Sequence, residues 1–597
     1  MPLLAFLLMA AALGWWIGSM RRRRRAREQI QGEVTATVET GLPSEESPLG
    51  RRARAIAEAQ DAKLKSPPPI HGTARWATTE DATGLVDGNL LRTSGSRGLC
   101  LGTLLTGDDA ETGLPLVARY PGHLLTVAGT GQGKSATQIV ENLLSYTGSV
   151  VVIDPKGELY DLTAARRREF GKVFRLAPLA RTNEPPSDRY NPLEELDDDR
   201  ELGARARRLA EMLVVRQGDK GAAEAAFFEN EAINLLTAII MLVVEMTRDP
   251  KRRAMRTLAE VRRICTLPML AGRKERDPKI REYLEDVFAI MMKSENPYLR
   301  GQGGSFLGRD QKLLGSFLSE INSNLAFFDG HPGYAEVTAS SDFRFADLAS
   351  EPTTVYLTVP LKDMATDFRF LRAMVGLAFA ALQEQREARE ASVLFMLDEF
   401  AALRDMSFMK DAVAQMRSSG AWFWFFVQDI AQLEGVYDRW ASVFLSQTDH
   451  QIYFGATLDE RTKKHISASL GVATYAYRDA NVSWAQSVGL NDSVNESPLQ
   501  LGGAGRGRNI GQSVNIAAPV ALAPKPLLTP FEVGTFLSHR RTGETHASTS
   551  IILSKQVGGF PVKARRRHWR DIAVASCGEV VEPVAIVHQP KLIKEVG

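Results

Sequence analysis

A glycine-rich loop between an apolar strand and a helical segment constrains this chain more than any other feature of its 597 residues. Residues 123–127 read HLLTV, residues 128–135 read AGTGQGKS, and the helical pattern ATQIVENLLSY follows. Strand, glycine-rich loop and helix in this order form a phosphate-binding loop, where backbone N–H groups and the helix N-terminus face the anion. The chain is therefore expected to contain an α/β nucleotide-binding domain.

Seven consecutive residues of this loop are the candidate nucleotide contacts: Gly129, Thr130, Gly131, Gln132, Gly133, Lys134 and Ser135. The three glycines let the backbone curl around phosphate oxygens. Lys134 is expected to reach the β- and γ-phosphates of ATP, and Ser135 to bind Mg²⁺. The first position of the GxxxxGK[ST] pattern is Ala128 instead of glycine, which the loop tolerates if φ there is negative. A chance glycine-rich turn would rarely carry Gly-Lys-Ser between a strand and a helix.

An acidic pair follows the continuous apolar run VLFML at residues 393–397, which is typical of a buried parallel strand. Asp398, at the carboxyl end of that run, is expected to hold Mg²⁺, and Glu399 to polarise an attacking water. Charged residues end many strands, so the pair alone is a weak signal. A phosphate-binding loop on the same chain makes it a strong one.

Two more apolar runs, at residues 149–154 and 421–427, predict a doubly wound and mainly parallel sheet. Gln428, at the tip of the second run, either orients the water and senses the γ-phosphate or only caps a helix. Arg417, on the turn before that run, is either a solvated arginine or an arginine finger that reaches a neighbouring subunit in a ring ATPase.

The N-terminal segment Pro2–Met20 is uncharged and apolar, and Arg21–Arg25 follow it directly. Nineteen helical residues span roughly 28 Å, close to the thickness of a bilayer core. A cleaved signal peptide is the alternative, but signal peptides carry their positive charge before the apolar run. We expect a single uncleaved anchor, with everything after Arg21 in the cytoplasm. The polar residues 26–70 that follow are typical of a linker.

The overall charge excludes few functions, because the chain has 73 basic and 71 acidic residues and a formal net charge of +2. Any basic surface for nucleic acid must then be local. The three cysteines, Cys100, Cys265 and Cys577, are far apart and without CxxC spacing, so neither a zinc cluster nor a disulfide framework is expected.

Helical periodicity dominates the roughly 160 residues between Leu193 and the strand at Thr354, for example in residues 222–246. Within this region, residues 248–282 hold twelve Lys or Arg against five Asp or Glu. That local excess indicates either an electrostatic footprint for nucleic acid or a solvated helix surface.

Two further segments are polar. Residues 477–515 are rich in Gly, Ser and Asn and form either a long solvated loop or a contact for DNA in a ring pore. Near the C-terminus, Lys563, Arg565, Arg566 and Arg567 form a basic stretch to which the sequence assigns no use.

Several motifs together carry a family resemblance: DPKGELY at 154–160, YNPL at 190–193, TVYLTVP at 354–360, LDEF at 397–400, VQDIAQL at 427–433 and KPLLTP at 525–530. They resemble, in content and order, the motifs of the type IV secretion system coupling proteins, the conjugative DNA-transfer ATPases. The resemblance extends from about Gly72 to about Trp569.

The resemblance implies a RecA-like motor that is docked at the bacterial inner membrane, assembles as a homo-hexameric ring and uses ATP and Mg²⁺. Its partners would be the type IV secretion channel proteins and a relaxase–DNA complex or protein effectors. By motif, Lys134 and Ser135 would bind phosphate and Mg²⁺, and Asp398 and Glu399 would form the acidic pair. Gln428 would sense the γ-phosphate, and Arg417 lies where the family's proposed arginine finger lies. Many members have two membrane helices, whereas this chain shows one.

The expected organisation has five segments: an anchor at 1–21, a cytoplasmic linker at 22–71, the first part of the nucleotide-binding domain at 72–194, an inserted all-α domain at 195–340, and the second part with a basic tail at 341–597. The expected function is an inner-membrane coupling ATPase that delivers DNA or proteins to a secretion channel. A nucleotide-dependent receptor without motor activity and a double-stranded DNA translocase are the alternatives.

Overall fold

The computed structural model describes residues 48–86, 96–106, 109–119, 122–198, 200–215, 223–271, 278–384, 393–406, 409, 413, 420–478, 520–538 and 549–570. The expected membrane anchor at Pro2–Met20 lies outside these residues, as do Arg417 and positions 479–515 of the polar loop. The chain divides into two compact units. One combines residues 1–74 with 471–527, and the other combines residues 75–470 with 528–597.

The thirteen described strands are β1 Leu99–Leu105, β2 Glu111–Ala118, β3 His123–Val127, β4 Ser149–Ile153, β5 Lys172–Leu176, β6 Thr353–Leu357, β7 Val393–Leu397, β8 Ala421–Val427, β9 Thr448–Phe454, β10 Val472–Arg478, β11 Val520–Pro526, β12 Thr549–Ser554 and β13 Val562–Arg565.

Eleven of these strands form one sheet in the larger unit. Seven parallel strands lie in the order β9-β3-β8-β7-β4-β6-β5, and β12, β13, β1 and β2 extend the sheet antiparallel from β9. Strands β3, β4 and β7 are buried along their whole length, as expected for parallel strands covered on both faces. The expected mainly parallel sheet is confirmed, and its antiparallel extension was not anticipated.

The described α-helices are α1 Pro48–Lys65, α2 Val140–Ser145, α3 Glu158–Phe170, α4 Leu202–Leu213, α5 Ala223–Met246, α6 Leu258–Ala271, α7 Pro278–Met292, α8 Pro297–Leu307, α9 Gln311–Asn324, α10 Phe327–Gly330, α11 Gly333–Val337, α12 Leu361–Glu384, α13 Ile430–Tyr437, α14 Ala441–Gln447, α15 Glu460–Leu470 and α16 Pro530–Ser538.

Eight helices, α4 to α11, lie between β5 and β6 in the chain, and α5 is their centre. Helix α5 packs against α4, α6, α8 and α9. Its segment Glu224–Met246 is long and apolar enough to cross a membrane, but 72% of its apolar window is buried inside the protein. It is therefore built as the core helix of a helical subdomain.

Part of the basic run at 248–282 is engaged in ion pairs within that subdomain. Four of its arginines pair with carboxylates: Arg253 and Arg256 with Asp197, Arg262 with Asp329, and Arg263 with Glu260. Lys251 and Arg252 are exposed, and residues 272–277 lie outside the described part of the chain. These pairs neutralise part of the local positive charge that a nucleic-acid footprint would use.

In its described residues, the smaller unit contains α1 and the antiparallel pair of β10 and β11. Helix α1 packs on this strand pair, where Arg478 forms an ion pair with Asp61. Part of the segment expected to be a linker is therefore helical. Tyr475 and Tyr477 are exposed on β10 and stack at 6.4 Å between ring centroids.

Candidate nucleotide-binding site

The candidate site lies at the carboxyl edge of three adjacent parallel strands. Strand β8 lies between β3 and β7, with Val127 opposite Val427 and Leu397 opposite Phe425. The phosphate-loop residues follow β3, Gln428 follows β8, and the acidic pair follows β7. Because these strands run in one direction, their carboxyl ends bring the three segments to the same edge.

The loop after β3 has the backbone that its glycines allow. Gly131 and Gly133 have φ of 73° and 83°, in the left-handed region. Ala128 does not have a positive φ, and this is the condition under which an alanine fits the first position of the loop. The Gln132 N–H donates to the Gly129 carbonyl oxygen at 3.4 Å, and the Thr137 N–H donates to that of Gly133 at 2.9 Å. The loop is therefore curled in the manner expected from its sequence.

The segment that follows β9 supports the outside of the loop. Gln132 Oε1 accepts from the Ala456 N–H at 3.2 Å. Gly455 has φ of 99°, and a Cβ there would approach Gln132 Cγ at 2.7 Å. A Cβ on Gly129 would collide with the Thr457 side chain. Glycine is needed at both positions because the side chains of Gln132 and Thr457 occupy the space that a Cβ would take.

The first turn of the helix is joined to the strands beneath it. Residues Ser135–Ile139 form a π-helical turn that continues into α2. Gln138 Oε1 accepts from Thr126 Oγ1 at 2.8 Å, and Thr126 Oγ1 accepts from Trp424 Nε1 at 2.9 Å. This buried chain of bonds fixes β3, β8 and the helix together, so the loop starts and ends on rigid elements.

Lys134 and Glu399 face each other across the site. Lys134 is buried, its Nζ donates to the Ala128 carbonyl oxygen at 2.9 Å and lies 4.0 Å from Glu399 Oε1. Glu399 Oε2 accepts from Gln428 Nε2 at 3.1 Å. The structure thus brings together three side chains that are separated by up to 294 positions in the sequence, the difference between 428 and 134.

Glu399 itself has φ of 55° and ψ of 42°, a left-handed conformation that costs a residue with a Cβ about 1–3 kcal/mol. Such strain is concentrated at functional sites in proteins. In this conformation the Glu399 carboxylate lies beside Lys134 Nζ and Gln428 Nε2.

Asp398 carries a buried carboxyl group at the end of β7. Burial, with the nearby charge of Glu399 acting in the same direction and Lys134 opposing both, raises the pKa of Asp398 to about 6. Its Oδ1 accepts from the Glu399 N–H at 3.1 Å. A buried carboxylate whose charge is this poorly compensated is suited to a cation.

Asp154 is a second buried carboxyl group, at the end of the adjacent strand β4. Burial raises its pKa to about 6, and its Oδ2 accepts from the Tyr160 N–H at 2.9 Å. It therefore caps the start of α3. Sequence reasoning placed Asp154 at the end of an apolar run and in a family motif, and did not predict this contact.

The raised pKa of Asp398 predicts a stability gain for Asp398→Asn in the nucleotide-free protein. The unfolded carboxyl group ionises near 3.8 and the folded one near 6, so folding becomes less favourable as the pH rises between these values. Asparagine does not ionise, and at pH 8 it should increase the free energy of unfolding by about 3 kcal/mol. Denaturant unfolding at several pH values tests this, and the gain should shrink as the pH falls towards 4. A gain that is equal at all pH values would contradict the burial argument.

Of the sequence-predicted site residues, Thr130 and Gly131 are exposed on the loop and Ser135 is half-buried at its end. Lys134, Asp398, Glu399 and Gln428 meet at one edge, whereas Arg417 lies outside the described residues. Arg566 contacts the loop and was not predicted as a site residue. Its only sequence signal was the basic stretch near the C-terminus.

Comparison with protein families gives one model match, described as "Type IV secretory system Conjugative DNA transfer", over residues 70–501. A protein named VirD4 from Rhizobium rhizogenes is 29% identical over 438 residues, which are 72% of this chain and 61% of that protein. A probable conjugal transfer protein TraG from Sinorhizobium fredii is 24% identical over 552 residues, 89% of this chain and 77% of that protein. The chain thus matches about three fifths of the VirD4 relative.

Among solved structures, the bacterial conjugative coupling protein TrwBdeltaN70 in its unbound form has a TM-score of 0.52 and 16% identity, covering 81% of this chain and 96% of that one. The plasmid coupling protein TrwB in complex with ADP and Mg²⁺ has a TM-score of 0.50 and 15% identity, covering 80% of this chain and 96% of that one. At these identities the likeness shows a shared fold.

Proposed function

This chain belongs to the type IV secretory system conjugative DNA transfer family, and on that premise we propose that it is a coupling ATPase. It would use ATP hydrolysis to recruit DNA, as a relaxase-bound single strand, or protein substrates and deliver them to a secretion channel. The names of its relatives, VirD4 and conjugal transfer protein TraG, support this direction. The family resemblance noted in the sequence is confirmed by the family match.

The observation that carries the proposal is the convergence of Lys134, Glu399 and Gln428 at the phosphate loop. A loop that only binds a nucleotide needs its glycines, its lysine and its hydroxyl group. A carboxylate held by an amide next to that lysine adds a group that can take a proton from water. This arrangement supports hydrolysis rather than binding alone.

We assign Mg²⁺ to Ser135 and Asp398, which fit it because the Asp398 carboxylate is buried and its pKa is raised. When bound with ATP, Mg²⁺ would neutralise charge on the β- and γ-phosphates. Among the described residues, no three His, Cys, Asp or Glu side chains gather into a metal cage. Protein ligands at this site would therefore be few, as Mg²⁺ prefers when phosphates and waters supply the rest.

The Lys134 ammonium would exchange its bond with the Ala128 carbonyl for phosphate oxygens. Its 4.0 Å contact with Glu399 would weaken at the same time, because the lysine charge is then shared with the nucleotide. Glu399, still bonded to Gln428, would then accept a proton from the attacking water. Gln428 would orient that water and respond to the γ-phosphate.

Arg417, which lies outside the described residues, remains our proposed arginine finger in a homo-hexameric ring. It would stabilise charge on the γ-phosphate of a neighbouring subunit. Mixing Arg417→Ala subunits with Lys134→Ala subunits tests this, because one mixed interface then pairs an intact arginine with an intact loop. Partial recovery of hydrolysis supports action between subunits. Mixed rings as inactive as their parents would contradict it.

The location and organisation are also proposals. We infer a single-pass anchor in the bacterial inner membrane at 1–21 and a cytoplasmic linker at 22–71. The nucleotide-binding domain would comprise residues 72–194 and 341–597, with the all-α domain at 195–340 meeting cargo on the cytoplasmic side. Channel proteins and a relaxase–DNA complex or protein effectors would be the partners.

The proposal is tested by ATP hydrolysis of the purified full-length protein in detergent, with and without single-stranded DNA. A motor that acts on DNA should hydrolyse ATP and respond to DNA. Nucleotide binding with no hydrolysis under either condition would favour the receptor alternative. Stimulation by duplex but not by single strands would favour the double-stranded DNA translocase.

A further inference from the structure

The basic stretch near the C-terminus is built into the sheet rather than presented as a surface. Strand β13, which contains Lys563 and Arg565, lies between β12 and β1. Lys563 is 8% exposed, and its Nζ lies 2.7 Å from Asp109 Oδ1. Arg565 forms an ion pair with Glu111 on β2. The sequence assigned no use to this basic stretch, whereas the structure pairs these two side chains with acidic residues of the antiparallel extension and its neighbouring turn.

Arg566, the residue after β13, makes a different set of contacts. It is 4% exposed, and its guanidinium carbon lies 3.5 Å from the centre of the Phe454 ring at the end of β9. One of its terminal nitrogens donates to the Gln132 carbonyl oxygen at 3.2 Å and to Thr137 Oγ1 at 2.9 Å. A single buried arginine thus joins the C-terminal strand, β9, the phosphate loop and the first helical turn.

From these contacts we propose that Arg566 is a positioning residue that holds the phosphate loop in its nucleotide-binding shape. The argument rests on the peptide between Gln132 and Gly133. In a trans peptide, the carbonyl oxygen and the following N–H point in opposite directions. Because Arg566 holds the Gln132 oxygen on one side, the Gly133 N–H is turned to the other side, away from Arg566.

The second bond of Arg566 fixes the other end of the same short segment. Thr137 Oγ1 accepts from Arg566 and donates to the Gly133 carbonyl oxygen at 2.9 Å. Arg566 therefore holds the peptide before Gly133 directly and the peptide after it through Thr137. Gly133 has φ of 83°, so these bonds oppose relaxation of a residue with unusual backbone freedom.

An arginine suits this task better than a lysine. Its planar guanidinium can stack on Phe454 while the two N–H groups of one terminal nitrogen point to the two acceptors in fixed directions. A lysine ammonium supplies the same charge but not the plane that stacks on Phe454 and fixes these directions. The geometry thus separates two roles: if only the positive charge near the phosphates mattered, lysine would replace Arg566 without loss.

The inference rests on the proposed ATP site, so its test has one readout with nucleotide and one without. Full-length Arg566→Lys and Arg566→Gln are compared with wild type and with Arg565→Gln, a matched control on the adjacent residue that faces Glu111 instead of the loop. The dissociation constant for Mg²⁺ and a fluorescent ATP analogue is measured first. Hydrogen–deuterium exchange of residues 130–134 is then measured without nucleotide, with thermal unfolding as the check on folding.

Both Arg566 variants should raise the dissociation constant by about tenfold or more, because each loses bonds from a charged donor. Exchange in residues 130–134 should become faster while exchange in β3 and β7 is unchanged, and Arg565→Gln should match wild type in both readouts. In hydrolysis, KM for ATP should rise more than kcat falls, since bound ATP itself orders the loop.

Wild-type affinity and wild-type loop exchange in Arg566→Lys would overturn the inference. If Arg566→Lys kept wild-type affinity while Arg566→Gln lost it, the positive charge of Arg566, and not its positioning of the loop, would explain the effect. If wild type itself bound no nucleotide, the proposed function would fail, but the exchange measurement would still decide whether Arg566 holds the loop.

Discussion

Changing Glu399 to glutamine should lower ATP hydrolysis on the order of 10³-fold while ATP and Mg²⁺ remain bound. The amide has the shape of the carboxylate and can still accept a hydrogen bond from Gln428. In the wild-type protein, Gln428 Nε2 lies 3.1 Å from Glu399 Oε2. It cannot take a proton from water. Loss of the negative charge 4.0 Å from Lys134 leaves that lysine more available to phosphate, so affinity should stay equal or improve.

The matched control for this variant is Glu351→Gln at the opposite edge of the same sheet. Glu351 forms an exposed ion pair with Lys172, at the start of β5, far from the carboxyl ends of the strands. Steady-state hydrolysis and nucleotide affinity are measured for both variants. Unchanged hydrolysis in Glu399→Gln would show that the carboxylate is not the proton acceptor and would return the site to a nucleotide-binding role.

Near neutral pH, changing Lys134 to alanine should abolish measurable binding of ATP and Mg²⁺ and with it hydrolysis. The direct reason is loss of the phosphate contact. The structure adds a second reason, since Lys134 lowers the pKa of Asp398 and its removal would raise that pKa above about 6. Asp398 would then be partly protonated near neutral pH, and the Mg²⁺ site would weaken as well.

Lys172→Ala removes a half-exposed lysine from the control ion pair and should bind nucleotide as wild type does. Calorimetric titration of Lys134→Ala with ATP and Mg²⁺ at pH 6.5 and pH 8.5 separates the loss of the phosphate contact from the raised pKa of Asp398. Some Mg²⁺-dependent binding by Lys134→Ala should return at the higher pH, where Asp398 is ionised. Tight binding at both pH values would contradict the assigned role of Lys134.

The loop and the acidic pair could be predicted at the level of single residues because each is a local pattern. An apolar run, a glycine-rich loop and a helix in succession specify the geometry of the phosphate loop over about twenty residues. The mainly parallel character of the sheet could also be predicted, because helical segments separate its apolar runs and parallel strands need such crossovers. Local chemistry and local periodicity therefore predicted most of the edge that the structure shows.

The antiparallel extension and Arg566 could not be predicted in this way. Strand β13 reads VKAR, half of it basic, and its pairing with β1 joins residues more than 450 positions apart. Nothing near either strand indicates the partner. The contact of Arg566 with the Gln132 carbonyl depends on that pairing, so it appears only once the sheet is assembled. The membrane anchor and Arg417 lie outside the described residues and stay predictions.

The most direct measurement of the central claim is DNA transfer from the source bacterium to a recipient. Its native gene is replaced by the Glu399→Gln or the Glu351→Gln allele, and equal amounts of membrane-associated protein are verified. The account predicts that transfer is lost with Glu399→Gln and remains at the wild-type frequency with Glu351→Gln. Wild-type transfer by Glu399→Gln would contradict the claim that hydrolysis at this site drives delivery.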